Sequence, residues 1–327
     1  MGFQGKIALV IPVKDEENSI GVLLDSLWEQ TRQPDEIIIT DGGSTDRTTE
    51  IIESHIKKGE PIKLIKSAGA YPGKGRNIAI ESSSSDWIAL TDAGIRLDRN
   101  WLAGLIEPLR DRRDLDGVYG NYEPAVNSFF KECLAIVFVP PPKLTKGKKM
   151  RSHFIASSMM KKDVWRAVGG FPDFRAAEDR IFMESVDREG FRMGFSIDAK
   201  VLWDIPSDFK TTFKRFSLFS MHDIKAGRFM DWHRGVIFMY LWGIILFLLG
   251  MFVSPLFYFI VILSIFLRSS NLMREKLQGS RLPLGPYLKK LALVTVIMIW
   301  IDLAMFWGTI EYLASKLKRE DRMSEGV

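Results

Sequence analysis

The sequence predicts an α/β fold, a mostly parallel sheet with helices on both faces, followed by C-terminal transmembrane helices. Three observations predict it. Short apolar, β-branched runs alternate with amphipathic helical stretches through the first third of the chain. Two of those runs, ending near Val13 and Thr40, close on carboxylates and glycines. Far downstream, no charged residue occurs from Gly235 to Leu267.

Lys6–Pro12 reads as the first strand, because a strand buried on both faces is a continuous apolar run. Ile20, Leu23, Leu24, Leu27 and Trp28 recur at helical spacing, so Asn18–Gln30 is an amphipathic helix that Gln33 and Pro34 end. Glu36–Thr40 is the second strand. Thr45–Lys57 is the second helix, with Ile51, Ile52, His55 and Ile56 inward. Ile62–Ile65, Lys74–Ser82 and Trp87–Thr91 follow as strand, helix and strand. This alternation implies parallel strands joined by crossover helices. Trp101–Leu109 is a helix and Gly117–Tyr122 a strand. Leu134–Arg151 reads as irregular, with prolines at 140–142 and then Lys143, Lys146, Lys148, Lys149 and Arg151. Glu178–Glu189 is a helix stopped by Gly190, and Phe191–Ile205 returns to strand.

Asp208–Met230 sets Phe209, Phe213, Phe216, Leu218 and Phe219 among Lys210, Lys214, Arg215, Lys225 and Arg228, the pattern of a helix on a membrane surface. As one helix, Gly235–Leu267 would be about 50 Å long against a hydrocarbon core of about 30 Å. A hairpin turning at Ser254-Pro255 fits better. A second apolar stretch, Leu291–Leu313, is interrupted by Asp302 and Glu311. The expected organisation is a catalytic domain over 1–206, an amphipathic juxtamembrane segment over 207–233, a transmembrane hairpin over 234–270, a basic loop over 271–289, a third membrane helix over 290–315 and a charged tail over 316–327.

Composition narrows the function classes. With 327 residues, 46% hydrophobic and 26% charged, the chain is not disordered. One cysteine, Cys133, excludes an internal disulfide and a cysteine metal site, and four histidines are scattered without ligand spacing. No cleavable leader is visible before the first strand. The net charge of +5 is compatible with anionic lipid, with nucleic acid or with no specific partner. The basic residues lie beside apolar helices and no aromatic stacking strand accompanies them, so membrane is expected and nucleic acid is not.

The chemistry-bearing residues cluster at strand ends, where ligands of open α/β sheets gather. Asp15 and Glu16 follow the first strand, and Asp41, Gly42, Gly43 and Ser44 the second. Gly73-Lys-Gly-Arg-Asn77 opens the third helix, where glycines and basic side chains can hold phosphate. Leu90-Thr-Asp-Ala-Gly94 ends the fourth strand. Gly169-Gly-Phe-Pro-Asp173 precedes Ala177-Glu-Asp179.

In that order these motifs resemble family 2 glycosyltransferases, which share the GT-A nucleotide-sugar fold, over roughly the first two thirds of the chain. The resemblance implies that Pro12, Lys14, Asp15, Glu16, Asp41, Gly43, Arg76, Asp92 and Ala93 bind the nucleotide sugar, UDP- or GDP-linked. Members usually carry Asp-x-Asp where this chain has Asp92 and Gly94, and those carboxylates hold Mg2+ or Mn2+ against the diphosphate. A divalent cation is therefore expected on Asp92. Either diphosphate and water complete the shell, or Asp98 reaches in, or the enzyme works without metal. Asp179 is the expected catalytic base, taking a proton from an attacking acceptor hydroxyl. Gly170, Glu178 and Arg215 are expected on the acceptor side. Arg215 is all that remains of the Gln-x-x-Arg-Trp motif of processive synthases, so processive synthesis is disfavoured.

The leading expectation is a membrane-anchored inverting glycosyltransferase with a lipid-linked or glycan hydroxyl acceptor, its catalytic domain cytoplasmic and its membrane helices open to self-association. Polyprenyl-phosphate sugar synthases are similar in fold and anchoring and form the alternative. A catalytically silent nucleotide-sugar binder is the reading from a different class, favoured by Gly94 alone. Positive charge flanks every apolar segment. The positive-inside preference suits a hairpin over 235–270 and opposes a single crossing at 291–314, which leaves that last segment to be re-entrant, to lie at the surface or to cross all the same.

Overall fold

The computed structural model describes residues 3–141, 143–145, 148–150, 152–277 and 283–324. The elements from the N-terminus are β1 (Ile7–Val13), α1 (Ile20–Trp28), β2 (Glu36–Asp41), α2 (Thr48–Lys57), β3 (Ile62–Lys66), α3 (Pro72–Glu81), β4 (Trp87–Leu90), β5 (Ile95–Leu97), α4 (Trp101–Asp111) and β6 (Gly117–Pro124). There follow α5 (Phe129–Phe138), β7 (Lys143–Thr145), β8 (Lys148–Met150), β9 (Ser158–Lys161), α6 (Lys162–Ala167), α7 (Glu178–Arg188) and β10 (Met193–Trp203). Four helices complete the chain: α8 (Phe209–Lys225), α9 (Phe229–Phe252), α10 (Leu256–Leu277) and α11 (Leu284–Ser324).

Residues up to 125 and from 142 to 204 make one compact unit; 126–141 and 205 onward make a second. The first unit holds an eight-stranded sheet in the order β3-β2-β1-β4-β9-β6-β10-β5. β3, β2, β1 and β4 run parallel, as do β6 and β10. β9 runs antiparallel between β4 and β6, and β5 antiparallel on β10. The sheet is mixed and mostly parallel, as the sequence predicts. β1 is buried at every position but Pro12, and its alternate residues serve opposite faces. Ala8 and Val10 join Ile80 of α3, Val164 of α6 and Phe182 and Val186 of α7 in one core.

The chain leaves β1 toward β2 on one side and returns to β4 on the other. This reversal makes the carboxyl ends of β1 and β4 the topological switch point, the usual place for a ligand crevice. Register aligns the ends: Val13 lies opposite Asp41, and Val10 opposite Leu90.

Two segments differ from the sequence expectation. The region read as irregular begins with helix α5, whose cap Ser128 accepts from the Lys131 backbone N–H at 3.2 Å. Pro140 and Pro141, just past its end, stop this helix; they do not prevent it. Of the basic stretch after it, Lys143, Lys148 and Lys149 lie on the hairpin β7–β8, whereas Lys146 and Arg151 lie outside the described residues.

Among the described residues three helices, all in the second unit, are long and apolar enough to cross a membrane, over His233–Phe252, Leu256–Leu277 and Leu284–Leu317. The first two form the hairpin foreseen at Ser254-Pro255, with Phe247 and Tyr258 packed across it. Asp302 is almost wholly buried, its carboxylate taken by Arg268 of α10 at 2.6 Å and Tyr240 of α9 at 3.2 Å. It faces protein, as a charge on an apolar helix must. Parts of the expected basic loop and tail, 278–282 and 325–327, lie outside the described residues.

Candidate active site

At the end of β1 the chain turns through Asp15, which holds a left-handed backbone at φ 54°. Its Oδ1 accepts from the Thr45 N–H at 2.8 Å, and its own N–H donates to Ser44 Oγ at 2.9 Å. The Glu16 N–H donates to Thr48 Oγ1 at 2.7 Å, and the Glu16 carboxylate accepts from Ser19. The β1 and β2 loops are thus sewn together. Lys14 and Asp15 are exposed beside them and Pro12 is half-buried.

Asp41, buried at the end of β2, accepts from the N–H groups of Gly43 and Ser44 at 3.2 and 3.1 Å and from the Ser44 hydroxyl. This turn mimics a backbone turn through the carboxylate and requires φ 88° at Gly43, a conformation that favours glycine.

Helix α3 begins against the Gly169-Gly-Phe turn. A Cβ on Gly73 would come within 2.1 Å of the Pro172 carbonyl, so only glycine permits this approach. Asn77 locks the contact. Its Oδ1 accepts from Trp165 Nε1 at 2.8 Å and the Phe171 N–H at 2.9 Å, and its Nδ2 donates to the Phe171 carbonyl at 2.8 Å. Sequence reasoning placed Asn77 in a motif but gave it no work. Gly170 holds φ 79° directly beside it.

Arg76 is 2% exposed and is not a surface arginine. Its Nη2 donates to Asp92 Oδ1 at 2.7 Å and its Nη1 to Glu178 Oε1 at 2.9 Å, with Phe171 lying under the guanidinium. Burial alone would ease its proton off, but Asp92 and Glu178 outweigh burial and hold it firmly charged. Glu178 sits in the first turn of α7 and is buried. Burial pushes its pKa up, the Arg76 guanidinium pulls it back and neighbouring Asp179 adds to the rise; the net direction is up. Ala177, the cap residue just before it, holds φ 70° without being glycine, a strain of about 1–2 kcal/mol. Such strain persists only where surrounding contacts enforce it.

The structure therefore gathers Arg76, Asp92 and Glu178 into direct contact, with Asp179 adjacent and half-buried. Ala93 is buried beside Asp92. Asp98 directly follows β5, and its Oδ1 accepts from the Asn100 N–H at 3.1 Å in its own turn. Arg215 lies on α8 of the second unit. Buried Thr40 and Thr91, each next to a strand-end carboxylate, leave their hydroxyls without a protein partner, a feature the sequence did not signal.

Among the described residues no group of three or more His, Cys, Asp or Glu could hold a metal ion by itself. Asp92 nonetheless fits a cation that arrives with its substrate. Mg2+ and Mn2+ sites often use one or two carboxylates, with phosphates and water completing the shell. Only Oδ1 of Asp92 is engaged by Arg76, and the side chain is 39% exposed.

Residues 8–166 match the model of glycosyl transferase family 2. A poly(ribitol-phosphate) beta-glucosyltransferase of Bacillus spizizenii is 28% identical over 204 residues, 59% of this chain and 31% of that protein. The poly(ribitol-phosphate) beta-N-acetylglucosaminyltransferase TarS of Staphylococcus aureus is 22% identical over 187 residues, 54% of this chain and 31% of TarS. The chain thus spans about a third of the length of these curated relatives. The solved mannosyltransferase PcManGT of Pyrobaculum calidifontis, in complex with GDP-Man and Mn2+, superposes with a TM-score of 0.57 over 96% of this chain and 88% of that one, at 15% identity. That likeness is one of fold.

Proposed function

We propose, starting from the family 2 glycosyltransferase domain that the chain carries, that it transfers a sugar from a UDP- or GDP-linked donor to a hydroxyl of a lipid-linked or glycan acceptor, with inversion. One observation supports this above the others: Arg76 ties the carboxylate ending β4 to the carboxylate pair opening α7, beside the switch point of the sheet. Donor chemistry and acceptor chemistry need groups on two sides of one reacting carbon, and these elements supply both.

In this reading Asp41 and the β1 loop (Pro12, Lys14, Asp15, Glu16, with Gly43) hold the nucleoside. Asp92 faces the diphosphate and sugar, with Arg76 holding it from beneath and Ala93 packed beside it. Asp92 would hold Mg2+ or Mn2+, which when bound stabilises the departing diphosphate. Asp179 accepts the proton of the attacking hydroxyl as its oxygen bonds the anomeric carbon and the bond to the diphosphate breaks. Glu178, held on Arg76, fixes the first turn of α7 and so aims Asp179. Gly170 serves the acceptor side, and Arg215, on α8 of the second unit, is assigned by itself to a phosphate or to anionic lipid. A phosphate acceptor is already ionised and needs no base, so the Glu178-Asp179 pair favours a hydroxyl.

The three apolar helices of the second unit anchor the chain in the cell membrane in this reading, with catalysis on the cytoplasmic side, where nucleotide sugars are made, and a lipid-linked acceptor within reach. The proposed parts are catalytic domain 1–206, juxtamembrane segment 207–233 and membrane region from 234.

The test is nucleotide release from a panel of UDP- and GDP-sugars by the full chain in lipid extract, with Mn2+ or EDTA, for the wild type and Asp179→Asn. Turnover of one donor, abolished by both EDTA and Asp179→Asn, supports the proposal. Turnover that survives Asp179→Asn points to a phosphate acceptor. Donor binding without turnover points to a silent binder.

A further inference from the structure

Within the second unit, α8 runs along α11. Trp300 Nε1 donates to the Phe209 carbonyl at 2.8 Å, and Phe213 packs on the Trp300 ring at 5.3 Å between centroids. Ser217 Oγ donates to Glu311 at 2.7 Å, and Ser220 Oγ to the Met305 carbonyl at 2.7 Å. A Cβ on Gly308 would come within 2.2 Å of the Ser217 carbonyl, so the two backbones touch there. On the flank of that contact α8 exposes Lys210, Lys214 and Lys225.

These contacts decide the placement of α11. If Leu291–Ile310 crossed the bilayer, Trp300 would stand at its centre, about 15 Å from either face of the hydrocarbon. Lys210 and Lys214, each adjacent in sequence to a residue packed on Trp300, would stand there too. A lysine stem is too short to bring its ammonium to water from that depth. The hairpin behaves differently. From Leu241 to Phe252 and from Leu256 to Leu267 most of its large apolar side chains are exposed, whereas buried contacts on α10 begin only at Ser269 and Met273. Thus about 12 residues of each arm, about 18 Å of helix, project free of the other helices of the unit.

We infer that α11 does not cross the bilayer but lies with α8 in the headgroup region, and that only the α9–α10 hairpin enters the hydrocarbon. The surface α11 offers to the lipid is the stripe Val296, Leu303, Trp307, Ile310, Leu313 and Leu317, all exposed and recurring every three to seven residues on one side of the helix. The occupant is a bilayer with anionic headgroups: the stripe supplies apolar area next to the hairpin, and the exposed lysines of α8 supply matching charge. With one hairpin inserted, the basic segments at Arg228–Arg234, Arg268–Lys290 and Lys316–Arg322 all fall on one side of the membrane, as the positive-inside preference asks. The inference rests on the membrane reading proposed above.

The test places a nitroxide spin label in turn at Val296→Cys, Leu303→Cys, Ile310→Cys and Leu317→Cys in the full chain, reconstituted in phosphatidylcholine–phosphatidylglycerol vesicles. Cys133 is buried, and a Cys133→Ala background removes any label there. Collision with oxygen against a water-soluble nickel complex reads depth. Seven-residue steps keep one face and advance about 10 Å along the axis. The expected result is one shared depth near the headgroup boundary. Depth changing by about 10 Å per step overturns the inference. A fifth label, at Phe259→Cys in the hairpin, separates the two readings. All four α11 labels in water with Phe259→Cys deep in lipid sinks the in-plane inference alone, and all five in water sinks the membrane reading as well.

Discussion

Arg76 and Glu178 stand 102 residues apart in sequence and 2.9 Å apart in space, and the same guanidinium reaches Asp92 at 2.7 Å. One cation thus joins the end of a strand to the start of a helix. A planar fork serves two carboxylates at once; an ammonium is a point charge and does not. Arg76→Ala leaves Glu178 buried without its partner and is expected to cost about 3–5 kcal/mol of unfolding free energy. Arg76→Lys is expected to recover only part of it. Urea denaturation of both variants checks this. A loss below about 1 kcal/mol for Arg76→Ala would mean the pair contributes as an exposed one does.

Glu178 also gives the chain a pH signature. Its folded pKa is raised above the ordinary value of 4.5. Its contribution to stability is therefore fully present below pH 4.5 and is lost as pH rises through the raised value, because the folded state keeps the proton longer. The stability of the wild type relative to Glu178→Gln is expected to fall as pH rises above 4.5, read from paired denaturation curves. A flat difference would mean that the Arg76 attraction balances the burial penalty, and a rise that it exceeds it.

Asn77 makes three hydrogen bonds, two with Phe171 of the Gly169-Gly-Phe turn and one with Trp165 of α6. Asn77→Ala leaves the Trp165 indole and both polar groups of Phe171 without partners and is expected to cost about 2–4 kcal/mol, at about 1–3 kcal/mol per unsatisfied group with some relaxation. Asn77→Asp keeps an acceptor for the two donors and loses only the bond to the Phe171 carbonyl, so it is expected to fall between. Thermal unfolding of the three proteins orders them.

Gly94 offers a gain-of-function test. A Cβ there meets nothing within 4 Å, so a side chain fits. Gly94→Asp restores a second carboxylate next to Asp92 and is expected to tighten Mn2+ binding about tenfold or more in the presence of UDP or GDP, since affinity follows ligand charge. Titration of the free-Mn2+ signal by electron paramagnetic resonance reads it directly. Unchanged binding would move the cation away from Asp92.

The first four strands and their helices were legible because each carries its own period: continuous apolar runs for buried strands, 3.6-residue spacing for the helices that cover them. Cap Gly190, with φ 76°, and the turn at Ser254-Pro255 were legible for local backbone reasons. β9 was not. Ser158–Lys161 is four residues long, and its pairing with β4 and β6 is long-range. The candidate site shows the same division. Asp15, Asp41 and Asp92 announce themselves by ending strands. The bridge of Arg76 to Glu178 and the clamp of Asn77 are tertiary facts, and no spacing within one segment encodes them.

The antiparallel wedge of β9 also orders the birth of the protein. β3, β2, β1 and β4 are neighbours made from the first ninety residues, so this half of the sheet can pair as the chain emerges. β6 has no neighbour yet, since its partners in the finished sheet are β9 and β10. Roughly 35 further residues must be translated before β9 arrives, about 2–7 s at about 5–20 residues per second. For that interval the nascent chain carries an open strand edge outside the ribosome, the kind of surface that chaperones cover and that crowded synthesis turns into aggregates.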